Sequence, residues 1–277
     1  MSRLNKQIDD ADFPPLNTAQ GYRNVIEYLG ATRGDNPDDL SELELQRIQA
    51  TSIMIPRDVS TILDVGCGDG RIINRLTKRF RAVGIDYSYN SLKHLIKNAA
   101  CASSEKLPFR DKSFDLVLCC EVLEHLPNEM FKATLAEIAR VSRQHILVSV
   151  PYKENMRLSN TKCQKCSTVF HIWGHVRRFS NSALDRLFAD FAVTSMRYLG
   201  SRPPYHNEII LYLNQRFGNR WADFDRTTIC PNCGNTGFTR TPRNPVTIAC
   251  GLINLLISKL IPVSQKFWVL KQYSRKR

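Results

Sequence analysis

The chain has 277 residues, 43% of them hydrophobic, so it is long enough to bury a full core in one large domain or two smaller ones. Residues 1–15 contain three aspartates and no apolar core segment, which argues against a secretory signal and predicts a cytoplasmic protein. The net charge is +13, and residues 151–277 hold 20 Lys and Arg against 6 Asp and Glu, so the second half favours an anionic partner such as nucleic acid, phospholipid head groups or phosphorylated sugars.

Residues 1–60 are predicted to form an N-terminal helical cap. Within them, Ser41-Glu-Leu-Glu44 has the pattern of a capping box, in which the Ser41 hydroxyl accepts the Glu44 amide and the Glu44 side chain reaches back. Leu40 and Leu45 are placed to form the accompanying hydrophobic staple. A helix is therefore predicted to start at Ser41.

Residues 61–86 read as a strand, a glycine turn, a helix and a second strand. The first strand is β-branched and apolar, as expected for a buried parallel strand, and it is followed by three glycines that let a ligand approach the backbone (Gly66, Gly68 and Gly70). A helix over 70–80 and a strand over 82–86 follow. The second strand ends in Asp86, so the segment predicts a ligand site at the strand ends.

Two kinds of ligand site use such a turn. A dinucleotide site requires G-x-G-x-x-G, whereas this chain has G-x-G-x-G preceded by Asp64, and that carboxylate suits a cationic amino group better than a pyrophosphate. The pattern resembles the S-adenosylmethionine (SAM) loop of class I methyltransferases. Residues 103–126 resemble the third and fourth SAM-site segments of the same family, so the resemblance covers roughly residues 61–150.

The resemblance implies a role for each part of the site. Asp64 and the loop Gly66–Cys67–Gly68 would hold the methionine end of SAM, and Asp86, followed by Tyr87, would accept both ribose hydroxyls. Many family members carry an Asp for the adenine amino group where this chain has Ser103, beside Ser104. Residues at the end of the strand over 114–119 would line the methyl-transfer pocket (Cys120 and Glu121).

Several residues are candidates for the group that takes a proton from the acceptor. Imidazole titrates near neutrality and suits this role, which makes His125, His171 and His175 candidates, together with Glu121 and Glu124. His125 leads by position, although a helix-terminus histidine bonded to backbone is an equal alternative. His175 opens a segment that resembles the acceptor border of small-molecule methyltransferases.

Strands and helices alternate from residue 61 onward, which predicts a doubly wound, mostly parallel sheet of seven strands, a Rossmann-like fold. After 61–65 and 82–86, strands are predicted near 101 and over 114–119 and 145–150, with helices over 89–99, 128–141 and 180–190. Residues 192–198 and 208–213 are predicted as the final antiparallel pair. The SAM-binding domain is accordingly placed at 61–213, with an insertion at 151–179.

Nine cysteines in a cytoplasmic chain argue against a disulfide framework. Four of them form two C-x-x-C pairs, one in the insertion and one in residues 214–245, and together they predict a structural four-thiolate Zn²⁺ site (Cys163, Cys166, Cys230 and Cys233). Replacement of one sulfur by His171 or His175 is an alternative. A redox dithiol fits poorly, because neither pair has the strand and helix context that activates such a motif.

Residues 246–277 are predicted to form an apolar helix and a basic tail. Residues 244–258 carry no charge, and their polar side chains form one narrow stripe at helical spacing. The run is too short to span a bilayer, so it either docks on the domain or lies in a membrane interface, with the tail 266–277 drawn to anionic lipid. Residues 267–273 are equally compatible with a strand that returns to the sheet.

These patterns predict a SAM-dependent methyltransferase that acts on an oxygen or nitrogen of a small, lipid-linked or glycan acceptor of anionic character. The alternative is an RNA methyltransferase that binds RNA through its basic zinc-containing half, although no base-methylating signature follows the fourth strand. A SAM-binding scaffold without catalysis is the third hypothesis.

Overall fold

A computed structural model describes residues 18–32, 40–92, 98–224, 228–264 and 266–276. Seven of its strands form one sheet: β1 Thr61–Val65, β2 Arg81–Asp86, β3 Ala99–Cys101, β4 Phe114–Cys120, β5 Ser142–Pro151, β8 Phe191–Leu199 and β9 Trp268–Arg275. Their order across the sheet is β3-β2-β1-β4-β5-β9-β8. The first five strands are parallel, and β9 is antiparallel to both of its neighbours.

Helices cover both faces of the sheet. They are α1 Ala19–Thr32, α2 Glu42–Ile53, α3 Ile73–Leu76, α4 Tyr89–Leu92, α5 Asn128–Val141, α6 Asn181–Leu184, α7 Glu208–Arg216 and α8 Pro245–Leu260. One core layer includes Ile138 from α5, and the other includes Ile73 from α3. Because both faces are covered, the central strands β1 and β4 are almost wholly buried, which agrees with their largely apolar sequences. The predicted seven-stranded, Rossmann-like fold is confirmed.

The predicted start of a helix at Ser41 is confirmed. The Ser41 side chain accepts the amide of Glu44, and a Glu44 carboxylate oxygen lies 2.9 Å from the Ser41 amide, which completes the capping box. Two predicted helices are shorter than expected, and a third is described only in part. The regular helix over 70–80 is only Ile73–Leu76, the one over 180–190 is only Asn181–Leu184, and the one over 89–99 is described only as Tyr89–Leu92, since 93–97 lie outside the described residues.

The prediction of a strand over 208–213 is wrong. These residues begin α7, because the Asn207 side chain accepts the amides of Ile209 and Ile210 and so caps a helix. The strand beside β8 is instead β9, which agrees with the alternative expectation for residues 267–273.

The sheet therefore extends beyond the predicted domain boundary at residue 213. Two cations of the predicted basic tail are held by the domain. Lys271 is buried beside Asp185, and the Arg275 guanidinium donates to the carbonyls of Ala139 and Ser142.

Two insertions pack against each other, and the first also reaches the carboxyl ends of the parallel strands. The first contains a 3₁₀ turn, Met156–Ser159, and a hairpin of β6 Asn160–Lys162 and β7 Val169–His171. It is joined to the segment after β4 because the Val176 amide donates to the Glu124 carbonyl at 2.8 Å. Val25 of α1 packs in one small core with Cys163, Phe170 and Cys230, so the N-terminal helix rests on the cysteine-bearing insertions.

Candidate functional site

The glycine loop after β1 is folded tightly against β2. The amides of Gly66 and Cys67 both donate to the Ile85 carbonyl, at 2.8 and 2.9 Å. Gly66 has φ +76°, and a Cβ there would lie 2.2 Å from Cγ2 of Val122. Only glycine fits this position, because both the backbone conformation and the space exclude a side chain.

Asp86 ends β2 and faces this loop. One of its carboxylate oxygens accepts the Gly68 amide at 2.8 Å, and the other accepts the Ser88 amide at 2.8 Å. The side chain is only partly buried, and it lines the cleft above the strand ends. Asp86 therefore fixes the glycine loop and also presents a carboxylate to any ligand in the cleft.

A cleft of about 570 Å³ lies at the carboxyl ends of the parallel strands, within the size range of a small-molecule or cofactor site. Its lining contains most of the residues predicted from the sequence: Asp64, Gly66, Cys67, Gly68, Asp86, Tyr87, Ser104, Cys120, Glu121, His125 and His175. Ser103 is not among the lining residues. Its hydroxyl lies 3.1 Å from the Glu105 carboxylate. The structure therefore does not bring Ser103 to the cleft, where it was expected to contact the adenine.

Asp64 is buried at the floor of the cleft. Its Oδ2 atom has no hydrogen-bond partner among the described residues. Burial, together with the nearby charge of Asp86, raises the pKa of Asp64 to about 7. A buried carboxylate of this kind is stabilised by a cation, so the floor of the cleft suits a ligand's ammonium group.

Glu121 forms one wall of the cleft, and both of its carboxylate oxygens are engaged. Ser149 donates its hydroxyl to Oε1 at 2.9 Å, while Oε2 accepts the Trp268 indole N–H at 2.7 Å and lies 3.3 Å from an Arg47 nitrogen. The backbone at Glu121 is left-handed, with φ +59°. These partners hold Glu121 as a fixed wall, which makes it a weaker candidate for the proton acceptor than the nearby histidines.

Several lining residues were not predicted from the sequence. Arg47 reaches the cleft from α2 and lies over the Trp268 ring, with 5.0 Å between the guanidinium carbon and the ring centroid. Tyr22 enters from α1, and Glu154 and Trp173 enter from the first insertion. No local motif marks these residues, although the predicted capping box at Ser41 does place α2 and its arginine ahead of β1.

Histidines and glutamates gather at one end of the cleft, which we call the histidine end. His125 is half-buried, and the other members are buried: Glu124, Glu154, His171 and His175. The His175 Nδ1 atom lies 2.6 Å from Glu154, and the His171 Nε2 atom lies 3.3 Å from the same carboxylate. Burial lowers the pKa of His171 to about 4 and holds the pKa of His125 well below its usual value. At neutral pH, both of these rings are therefore neutral.

The four cysteines of the two C-x-x-C pairs meet in one cluster. The Sγ atoms of Cys163 and Cys233 are 3.6 Å apart, those of Cys166 and Cys230 are 3.5 Å apart, and all four lie within 4.8 Å of one another without a disulfide. Four sulfurs around a tetrahedral Zn²⁺ at about 2.3 Å would be separated by roughly 3.8 Å. The donor set and its spacing therefore fit Zn²⁺.

The two cysteine turns have the same backbone pattern. The amides of Ser167 and Gly234, each directly after the second cysteine of its pair, donate at 2.9 Å to the carbonyl of the first cysteine. Both residues have left-handed backbone, with φ +61° and +68°. Two matching turns that point their sulfurs at one place make a preformed pair of metal knuckles.

Helices α7 and α8 expose an apolar surface, defined here as the α7–α8 surface: Ile209, Tyr212, Phe217, Ile248, Leu252, Ile253, Leu255, Leu256 and Leu260. Thr247 and Cys250 of α8 are buried, and Asn254 accepts the Asn207 amide, so the polar stripe lies largely toward the protein. No described helix has both the length and the apolar character needed to cross a membrane.

Residues 63–147 match the sequence profile of a family described as a methyltransferase domain. The match runs from β1 into β5 and includes Asp64, the glycine loop, Asp86 and residues 120–125. This segment of the chain is therefore similar to a methyltransferase domain, and the sheet around it is Rossmann-like.

Several curated proteins are similar over part of the chain. An uncharacterized protein of Methanocaldococcus jannaschii is 40% identical over 99 residues, which are 34% of this chain and 42% of that protein. A fatty-acid O-methyltransferase of Mycolicibacterium smegmatis is 30% identical over 116 residues, 38% of this chain and 42% of that enzyme. The chain thus spans less than half the length of these relatives.

A solved structure extends the similarity of fold over most of the chain. The cyclase SpnF is 14% identical, and the alignment covers 91% of this chain and 93% of that one with a TM-score of 0.53. At this identity the likeness concerns the fold alone. Because that structure is named for a cyclisation, the reaction has to be argued from the site.

Proposed function

We propose that the protein is an enzyme that transfers the methyl group of SAM to an oxygen or nitrogen of its acceptor. The observation that carries this proposal is that Asp64 and Asp86 line one cleft beside the glycine loop. This cleft lies at the carboxyl ends of the parallel strands, and both residues fall within the segment that matches the methyltransferase domain. Ligands of open α/β sheets bind at this edge.

The chain's own residues fit SAM in a consistent way. Asp64 offers the ammonium group a buried carboxylate whose Oδ2 atom has no described partner, and Asp86 offers its carboxylate to the ribose hydroxyls. The loop Gly66–Gly68 lets the ligand approach the backbone without a Cβ in the way. SAM supplies an activated methyl group, so the protein has mainly to position the acceptor and help it lose a proton. His125 and His175 line the cleft where an acceptor would enter.

The proposed acceptor is a small, lipid-linked or glycan molecule of anionic character. The α7–α8 surface supports the lipid-linked form, because a helix with this exposed apolar face suits a membrane interface. Arg216, Arg243 and Lys259 are exposed on or beside the two helices, and cations there favour anionic lipid. The relative named a fatty-acid O-methyltransferase is consistent with an acceptor that carries an acyl chain.

The proposed metal is a structural Zn²⁺ held by Cys163, Cys166, Cys230 and Cys233. Four thiolates complete a tetrahedral shell and leave no position for chemistry. The first cysteine turn connects β6 to β7, and β7 ends at His171. The cluster therefore fixes the insertion that carries His171 and His175, in addition to joining both insertions.

The activity is tested by incubating the full chain with methyl-labelled SAM and separate lipid, glycan, RNA and protein fractions. We expect label in the lipid or glycan fraction. Label in RNA, accompanied by binding that weakens steeply with added salt, would favour the RNA alternative, because phosphate contacts release counterions. Saturable binding of SAM with no label in any fraction would favour the scaffold hypothesis.

Membrane association is tested with two matched variants. Leu256 of the α7–α8 surface is 66% exposed, and Ile53 at the end of α2 is 65% exposed. Leu256→Ser should reduce co-sedimentation with anionic phospholipid vesicles several-fold, whereas Ile53→Ser should not. Equal binding of both variants, or no binding by the parent protein, would remove the membrane from the proposal.

A further inference from the structure

Glu124 is a buried carboxylate for which the fold supplies no visible partner. It is 0% exposed, and neither carboxylate oxygen has a hydrogen-bond partner among the described residues. Leaving such a group ionised and unpaired costs several kcal/mol, so the group must be protonated or must hold a cation.

The atoms around Glu124 favour a cation. Its carboxylate and ring nitrogens of His125 and His175 lie within 4.8 Å of one another. The His125 Nδ1 atom is also buried without a described partner, and the His125 and His175 rings meet edge to face with centroids 4.8 Å apart. Three groups that donate lone pairs therefore converge on one place. No described ion pair joins a Lys or Arg side chain to Glu124; Arg47, for example, pairs with Glu121.

Glu154 and His171 lie behind His175 and support its position. The His171 Nδ1 atom accepts the backbone amides of Trp173 and His175, both at 3.3 Å, so the proton of this neutral ring lies on Nε2, toward Glu154. Glu154 accepts from the Nδ1 atom of His175 at 2.6 Å, which leaves the Nε2 lone pair of His175 free. A carboxylate behind a histidine is the usual outer support of a metal-binding imidazole.

From this arrangement we infer that Glu124, His125 and His175 bind a divalent first-row transition-metal ion, with Glu154 as the positioning residue for His175. Two imidazoles and one carboxylate are a donor set that suits Zn²⁺ or Fe²⁺ and leaves coordination positions open. Because His125 and His175 line the cleft, the open positions face the acceptor. The site is separate from the cysteine cluster and differs from it in ligand chemistry.

The role of this ion rests on the proposed methyl transfer. An acceptor hydroxyl that coordinates the ion loses its proton to cleft water more readily, since a bound cation lowers the pKa of the oxygen. The same coordination fixes the oxygen at the histidine end of the cleft. The inference therefore favours a hydroxyl-bearing acceptor over an amine.

The test uses Co²⁺ as the probe and the full chain with zinc retained in its cysteine cluster. We expect one equivalent of Co²⁺ to bind, with visible ligand-field bands and no thiolate-to-cobalt charge-transfer band. Glu124→Gln should weaken binding at least tenfold, and Glu154→Gln should weaken it about 10–100-fold. Glu129→Gln, an exposed glutamate in the first turn of α5, is the matched control and should leave binding unchanged.

Thermal unfolding checks that the variants fold. Without Co²⁺, Glu124→Gln should unfold at or above the parent temperature, because it removes a buried carboxylate. With Co²⁺, the unfolding temperature should rise for the parent but not for Glu124→Gln. Equal Co²⁺ binding by the parent and Glu124→Gln, or cobalt bands from thiolates only, would overturn the inference. Calorimetry with SAM is a separate measurement, so failure of this metal site and failure of the proposed function are distinguishable.

Discussion

The Trp268 side chain donates its indole N–H to Glu121 at 2.7 Å, which joins two residues 147 positions apart in the chain. Trp268 begins β9, the strand that follows both insertions, whereas Glu121 directly follows β4 at the cleft. Arg47 of α2 packs on the same indole ring and approaches the same carboxylate. The wall of the cleft is therefore completed by the C-terminal strand and the N-terminal cap together.

Trp268→Phe should lower the free energy of unfolding by about 1–3 kcal/mol, because it removes a hydrogen bond to a charged group but keeps most of the ring. Urea unfolding measures the change. Combining this substitution with Glu121→Gln in a double-mutant cycle isolates the pair. Strictly additive effects would show that the contact contributes nothing of its own.

Asp86→Ala should weaken SAM binding by about 1–3 kcal/mol, roughly 5- to 150-fold, through lost charge-assisted hydrogen bonds. Titration calorimetry with SAM checks this. The same change frees the amides of Gly68 and Ser88, so part of the loss comes from a looser glycine loop. Asp111→Asn, at an exposed carboxylate paired with Arg140, is the control. Unchanged affinity for Asp86→Ala would exclude this carboxylate from the site.

The cofactor half of the cleft was predictable because its information is local. The strand, the glycines and the terminal Asp86 follow one another within a short segment, and parallel strands bring their ends to one edge. The final strand pair was harder, because a short apolar run such as 208–213 fits a strand or one face of a helix equally well. The Asn207 cap decides for the helix, and only packing against β5 and β8 places residues 268–275 in the sheet.

The histidine end of the cleft was predictable only in part. His125, His171 and His175 were candidates by residue type, as was Glu124, but nothing in their spacing predicts that Glu154 lies 2.6 Å from His175. That contact depends on how the insertion folds back against the segment after β4, which the Val176 amide and the Glu124 carbonyl secure. Contacts between distant segments are set by tertiary packing and not by local pattern.

Asp64→Asn should stabilise the ligand-free protein at high pH. Burial raises the pKa of Asp64 to about 7 in the folded chain from its ordinary value of 3.8, so its ionised form destabilises the fold. The parent loses stability as pH rises from about 4 to 7, and the variant should not. The gain, of the order of 2–4 kcal/mol, should be complete above pH 7 and absent below about pH 4.

Denaturant unfolding across this pH range measures the difference. SAM should bind Asp64→Asn more weakly, and the affinity of the parent should increase from pH 5 to 8 as the carboxylate ionises. A parent and a variant with parallel stability profiles would contradict the assignment of this carboxylate as a buried and unpaired group.

Gly66→Ala should abolish SAM binding and lower stability by several kcal/mol. Its φ of +76° strains an alanine, and the added Cβ would meet the Val122 side chain at 2.2 Å. Gly251→Ala is a contrasting control, because nothing lies within 4 Å of its Cβ position in the middle of α8. That change should stabilise the protein by about 0.5–1 kcal/mol. Thermal unfolding and SAM calorimetry report both variants.

Cys233→Ser should release zinc and loosen the first insertion, which lines part of the cleft. Val25 of α1 packs in the same small core as Cys163 and Cys230. Strand β7 connects the first cysteine turn to His171. Loss of the metal should therefore raise the proteolytic sensitivity of the insertions and weaken acceptor use more than SAM binding, since the glycine loop lies on β1 and β2.

Elemental analysis of the parent protein should find one zinc per chain, and the variant should retain much less. Cys101→Ser, at an exposed cysteine away from the cluster, controls for the loss of a thiol. A parent protein purified without zinc, which also fails to take up one equivalent with a rise in unfolding temperature, would reduce the four cysteines to a thiol cluster. In that case the insertions would have to be held by the Val25 and Phe170 core alone.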